Sequence, residues 1–187
     1  MAYWLFKSEP GAWSWDQQVQ KGDTGEGWDG VRNYQAANNM KAMNIGDLGF
    51  FCHSVAEKQI VGIVDVIAPY HPDPTDASGR FGTVTVRAIA PMVRPVTLAE
   101  IKAEQPLAQL ALVRQARLSV VPISAEEWGY ILNMGRTALL QIGLSILTAE
   151  NKIKIPQIDK QPKPLPTNDN RVFAPEGIKQ QHKAATN

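Results

Sequence analysis

The sequence predicts an α+β fold, a mixed β-barrel with short flanking helices, on three observations. Short runs rich in aromatic and β-branched residues recur along the chain, as pleated, half-buried strands require. Ser or Thr followed three residues later by Gln or Glu marks several short helices. No internal repeat is present, and no strand–helix alternation is long enough for a parallel α/β sheet.

The elements follow in order. Residues 3 to 7 open the chain with an aromatic-rich strand. Ser14 and Gln17 have capping-box spacing, which predicts a helix over residues 15 to 20 before Gly22 stops it. A glycine-rich loop with Trp28 covers residues 22 to 30, and helix formers fill residues 34 to 43 up to a Gly46-Asp47 turn. Residues 48 to 53 and 59 to 68 read as an antiparallel strand pair. Pro69, Pro72 and Pro74 remove donors and fix φ, which predicts an irregular loop from residue 69 to Arg80. Val84, Val86 and Ala88 alternate in a strand over residues 82 to 93. Thr97 with Glu100 and Ser124 with Glu127 open two more helices, and residues 117 to 121 form a strand between them. The predicted domain spans residues 1 to 135, with a short helix within 136 to 150. Residues 151 to 187, rich in Pro, Lys, Gln and Asn, predict a disordered basic tail because they carry too little apolar surface to offset ordering entropy.

The 187 residues suit one domain with a sizeable core, given about 100 to 200 residues per domain. Nineteen Lys and Arg against 18 Asp and Glu give a net charge of +1, which predicts no strong global attraction to phosphate backbones or anionic membranes. The balance is uneven. Residues 151 to 187 hold seven basic and three acidic side chains, leaving residues 1 to 150 acidic by three. The start, Met1-Ala2-Tyr3-Trp4-Leu5-Phe6-Lys7, predicts neither a secretory signal nor a membrane span, and so a cytoplasmic address. Cys52 is the sole cysteine, which excludes an internal disulfide; its apolar neighbours predict a buried, inert thiol.

Several motifs carry little chemistry. Gly25, Gly27 and Gly30 satisfy G-x-G-x-x-G, but that fingerprint works between a strand and a helix N-terminus, and here a helix precedes it. His53, His71 and His182 lie on different elements without metal-ligand spacing, so neither a metal nor any other cofactor is expected. The polar residues Lys7, Ser8 and Glu9 end the first strand, and His53-Ser54 ends another; each is either a site or an ordinary strand end. Trp28-Asp29-Gly30-Val31-Arg32-Asn33-Tyr34 groups two aromatics, an arginine and an amide. Aromatic faces stack on bases, and an amide offers donor and acceptor to a base edge. The plainer readings are a core plug for Trp28 and a helix N-cap for Asn33.

These blocks also carry a family likeness. Tyr3-Trp4-Leu5-Phe6-Lys7-Ser8-Glu9-Pro10, the Trp28 to Tyr34 segment, the run from Gly46-Asp47 to His53-Ser54, Pro72-Asp73-Pro74, and Arg117-Leu118-Ser119-Val120 through Pro122 together resemble the EVE domain, over residues 3 to about 135. The resemblance implies a PUA-like fold similar to that of YTH readers, and a binding module that holds one modified nucleobase of DNA or RNA in an aromatic pocket. It implies pocket walls from Lys7 and Ser8, from Trp28 and Arg32-Asn33-Tyr34, and from His53-Ser54, with Phe81 where the family carries tryptophan. Two further departures are Ala37 in place of an arginine, which removes a phosphate contact, and Cys52 in place of a tyrosine. A second reading is a small PUA-like amidohydrolase of acylated nucleosides using Lys7, Ser8 and Glu9. Alternation along a strand argues against that trio, since it sets Ser8 on the opposite side from Lys7 and Glu9. A protein-interaction domain with a vestigial pocket is a third.

Near-neutral charge leads to one expectation about nucleic acid. A nucleoside or short single strand should bind almost as well as a long duplex, and titrations at several salt concentrations should give a shallow log–log slope.

Overall fold

The computed structural model describes residues 1–138. Strand β1 is Tyr3–Ser8, followed by helix α1 at Trp15–Gln20, a 3₁₀ turn at Gly22–Thr24 and the two-residue strand β2 at Glu26–Gly27. Helix α2 is Tyr34–Lys41, and strands β3, β4 and β5 are Leu48–His53, Gln59–Pro72 and Gly82–Thr97. Helix α3 at Leu98–Ala103, a 3₁₀ turn at Gln105–Leu107, helix α4 at Ala111–Arg114, strand β6 at Val120–Ile123 and helix α5 at Ala125–Met134 complete the order. The helix expected within 136 to 150 and the tail after it fall almost wholly outside the described residues. Among the described residues, no helix is long and apolar enough to cross a membrane.

All three capping boxes form. Ser14, Thr97 and Ser124 each accept from the backbone N–H three residues on, and Gln17, Glu100 and Glu127 reach back to the cap. Asn33 caps α2 by accepting from the backbone of Gln35 and Ala36, which satisfies two of the N–H groups a helix start leaves unpaired.

The six strands make one mixed sheet in the order β2-β5-β4-β3-β1-β6. β1 runs parallel to β3, pairing Tyr3 with Leu48 and Ser8 with His53, and antiparallel to β6. A parallel pair needs a long crossover, and residues 9 to 47 supply it. The α+β, PUA-like class is the one the sequence predicts, but the sheet is not closed. Its edge strands β2 and β6 are only two and four residues long and share no ladder, so an open seam replaces the last barrel pairing.

Three strands differ from expectation in their boundaries, the simplest case being β5, which runs on to Thr97 rather than ending at residue 93. β4 continues through Pro69 to Pro72, with His71 opposite Thr83 and Pro72 opposite Gly82. The register shifts between Ala68 and His71, so Pro69 sits where no ladder N–H is required, as bulges permit. The irregular loop is therefore confined to residues 73 to 81. β6 begins at Val120 rather than Arg117 because Leu118 N–H closes a turn onto the carbonyl of Gln115.

The core joins Leu5 and Phe6 of β1, Phe50 and Phe51 of β3 and Ile63 of β4, all fully buried. Phe50 stacks on Trp128 of α5 with centroids 4.0 Å apart, which fixes that helix against one face. On the other, the Trp15 ring lies over Gly62, where a Cβ would come within 2.3 Å of it. Cys52 is buried, and burial pushes its thiol up to about 12, so it stays protonated and inert.

Asp47 pins the start of β1. Its buried carboxylate accepts from Ala2 N–H at 2.7 Å, Trp4 Nε1 at 3.2 Å and Asn44 N–H at 3.0 Å. Burial alone would raise this carboxyl, but those donors hold it below its usual range. Asp47→Ala leaves the Trp4 indole N–H without a partner and should cost about 2 to 3 kcal/mol in denaturant unfolding, with Asp47→Asn intermediate.

Candidate functional site

A cavity of about 660 Å³ opens along the seam of the sheet. β1 ends there with Lys7 and Ser8, β2 contributes Glu26 and Gly27, and Ser119 enters from the residue before β6. The segment after β2 continues the lining from Trp28 to Asn33, while Ala12, Trp13 and Lys21 close the side nearest α1.

Trp28 is the floor. Its indole is 7% exposed and meets Phe6 and Phe51 edge-on, with centroids 5.1 and 5.5 Å away. Trp28 N–H donates to the carbonyl of Val84 at 2.8 Å, which ties the segment to β5. It is thus both a core plug and a cavity wall. Trp13 forms a second aromatic wall. Its Nε1 donates to Gln18 Oε1 at 2.9 Å, and the fully buried Gln18 in turn donates to Val86 O at 2.9 Å. Lys21 sits over the Trp13 ring at 5.5 Å and pairs with Glu26.

The loop segment owes its shape to Asp73, whose side chain is fully buried. One oxygen accepts from Gly30 N–H at 3.0 Å and Arg32 Nη1 at 2.7 Å; the other accepts from Thr75 N–H and Oγ1, both at 2.7 Å. Burial would raise this carboxyl, yet the Thr75, Arg32 and Gly30 donors hold it down to about 2. Gly30 has φ of 71°, a conformation that glycine adopts without steric cost.

Charge in the cavity is mixed. Lys7 donates from Nζ to Ala116 O at 2.7 Å, and burial lowers its ammonium below the usual lysine value. Asp29 is pushed the other way: burial, then Asp73, then Glu26 raise its carboxyl. Among the described residues no group of three or more His, Cys, Asp or Glu side chains could hold a metal ion.

Of the residues the sequence singles out, Lys7, Ser8, Trp28, Arg32 and Asn33 line this cavity together. Tyr34, His53, Ser54 and Phe81 do not. Tyr34 is 63% exposed and packs on Phe81 with centroids 5.0 Å apart, while the Arg32 guanidinium lies 5.8 Å from the Phe81 ring. They buttress the arginine outside the cavity. His53 is spoken for at both nitrogens. Nε2 accepts from Trp15 N–H at 3.1 Å, so Nδ1 is the donor to Glu57 Oε2 at 2.6 Å. Ser54 and His53 line a neighbouring hollow of about 280 Å³. Glu9 does not line the main cavity, so Lys7, Ser8 and Glu9 do not converge there as the amidohydrolase reading requires. Trp13, Asp29 and Ser119 escape sequence reasoning; the Trp13-Ser14-Trp15 cluster before the capped helix is the one signal that points to the first.

The sequence matches the EVE domain family over residues 2–134, and the chain belongs to that family. A crystal structure of an Agrobacterium tumefaciens protein superposes with a TM-score of 0.73 at 49% identity, covering 74% of this chain and 96% of that one. Human THYN1 in complex with 5-methylcytosine-containing DNA superposes with a TM-score of 0.68 at 29% identity, over 74% and 99% of the two chains. Thymocyte nuclear protein 1 of Gallus gallus is 32% identical over 169 residues, 71% of this chain and 68% of that protein.

Asp73 gives the site a measurable pH dependence. Its folded carboxyl lies below the unfolded value of about 3.9, so its stabilisation is fully present above that pH and is lost as pH falls toward about 2. In denaturant titrations the stability gap between wild type and Asp73→Asn should close across that window and remain constant above it.

Proposed function

We propose that this chain is a non-catalytic module that holds a single modified nucleobase, presented by DNA, in the seam cavity. The observation that carries the reading is the pairing of two tryptophan walls, Trp28 and Trp13, with polar groups at the same opening: Lys7, Ser8, Asp29 and Asn33. A volume of about 660 Å³ falls within the roughly 300 to 1,000 Å³ typical of small-ligand sites. The family membership and the THYN1 complex with 5-methylcytosine-containing DNA support the choice of ligand class.

In this reading the base leaves its stack and lies against indole, since every base has a π-face that an aromatic side chain can cover. Its edge meets groups of both polarities. Asn33 spends Oδ1 on capping α2, which leaves its Nδ2 to donate. Asp29 accepts from an exocyclic amine. A methyl group on the base adds apolar contact worth about 0.8 kcal/mol when buried, which is the physical basis of a preference for the modified form.

Calorimetry of the full chain against 5-methyl-2′-deoxycytidine, its unmethylated form, other methylated nucleosides and an N4-acetylated cytidine tests this, with chromatography of each ligand afterwards. Trp13→Ala, which leaves the aromatic core under Trp28 intact, should weaken binding by about 1 to 3 kcal/mol, the range for one lost base stack. Trp28→Ala should weaken it at least as much and also lower thermal stability. Binding that ignores both substitutions, or that treats all nucleosides alike, sinks the reading; a consumed acylated nucleoside moves the case to the amidohydrolase.

A further inference from the structure

A second hollow, of about 560 Å³, adjoins the seam cavity and shares Lys7 and Ser119 with it. Its other walls are the turn between β3 and β4, through Ser54, Val55 and Lys58, and the segment that carries Ala116 and Arg117. The smaller hollow beside it shares Lys58 and adds Lys102. Lys58, Lys102 and Arg117 form no ion pair among the described residues, whereas Lys21, Arg32, Arg87 and Arg94 each sit on a carboxylate. Two acids lie nearby. Glu9 lines the hollow, and Glu57 is on the same turn, but its carboxylate is taken by His53 at 2.6 Å and Gln59 at 3.0 Å. The local balance is positive in a body that otherwise leans acidic: residues 1 to 138 hold 12 Lys and Arg against 14 Asp and Glu.

The turn has an unfavourable backbone shape. Val55 and Lys58 adopt φ of 62° and 47°, a region that side chains rarely enter and β-branched ones least of all. Flanking bonds impose it: Ser54 N–H donates to Ser8 O at 2.8 Å, and Leu98 N–H donates to Lys58 O at 2.7 Å. The first of these ties the turn to a residue that lines the seam cavity. Val55, 61% exposed, stands at the edge of the same hollow.

We propose that this hollow is a phosphate subsite: Lys58 and Arg117 bind the backbone phosphate next to the nucleotide whose base occupies the seam cavity. The proposal rests on the base-binding reading above and adds the strand's path, from the seam across Lys7 and Ser119 to the β3–β4 turn. Cations without protein partners, beside a base pocket and shielded from none of the solvent, are what phosphate contacts require; they set register and leave base identity to the pocket. A single subsite also agrees with the shallow salt slope expected from the overall charge, because each neutralised phosphate of a single strand contributes about 0.7 to that slope.

The test compares 5-methyl-2′-deoxycytidine with a short single strand carrying 5-methylcytosine, using wild type and the double variant Lys58→Gln, Arg117→Gln. The variant should lose about threefold in strand affinity and about 0.7 units of salt slope while binding the nucleoside as wild type does. The same charge change placed elsewhere, Lys41→Gln with Arg136→Gln, should leave strand affinity unaltered. If the double variant keeps wild-type strand affinity and slope while the nucleoside still binds, the phosphate subsite is overturned and the base pocket stands. If wild type binds neither nucleoside nor strand, the base reading fails and takes the subsite with it.

Discussion

The buried carboxylate of Asp73 is the constraint from which the site follows. A charge removed from water is costly unless hydrogen bonds replace its hydration, and here four donors do so: Gly30 and Thr75 through their backbones, Arg32 and Thr75 through their side chains. Those donors come from two loops far apart in sequence, so neutralising one charge also fixes the segment from Trp28 to Asn33 over the end of β1. Trp28 is then held from below by Phe6 and Phe51 and from the side by Val84. The floor of the cavity is an outcome of core packing, and its rim an outcome of electrostatics.

The cavity exists because the sheet stops short of closing. A longer β2 would pair across the seam and fill it with backbone. Instead β2 is two residues long, the chain leaves the sheet at Trp28, and the opposite edge is β6, which pairs with β1 only as far as Phe6. Helix α2 covers part of that edge, with Asn39 Nδ2 donating to Val120 O at 2.8 Å, so β6 is not left bare to pair with another chain. The remaining gap is lined by side chains from both edges of the sheet, which brings polar groups of distant sequence together without burying them unpaired.

Local signals in the sequence were read well where the physics is local. The capping boxes at Ser14, Thr97 and Ser124 fix their helix starts with no help from the fold, because their hydrogen bonds lie within three residues; the aromatic run of β1 marks a strand, but its ladder partners come from the distant β3 and β6. Pro69 misled because a bulge in β4 supplies a place for a residue without an N–H, and bulges arise from strand pairing rather than composition. At the site, Lys7, Ser8, Trp28, Arg32 and Asn33 were legible from their clustering at element ends and from the family likeness. Trp13 and Ser119 were not, since only the tertiary approach of the α1 turn and the β6 entry brings them to the seam. His53 was legible as a polar residue at a strand end, but its partners Trp15 and Glu57 consume both ring nitrogens, and no sequence pattern announces that.

The parallel pairing of β1 with β3 also bears on how the chain reaches this state. β1 sits between a strand that begins 45 positions later, at Leu48 opposite Tyr3, and one that closes 120 positions later, at Ile123 opposite Tyr3. Neither contact can form by a local hairpin, and loop closure over such spans is an entropic debt met before any pairing is gained. Both flanks of the first strand are therefore supplied by distant chain, β3 on one side and β6 on the other, and the segment between β1 and β3 carries both tryptophan walls. Chains still lacking β6 have no finished seam cavity, because Ser119 and the strand that follows it supply one of its walls.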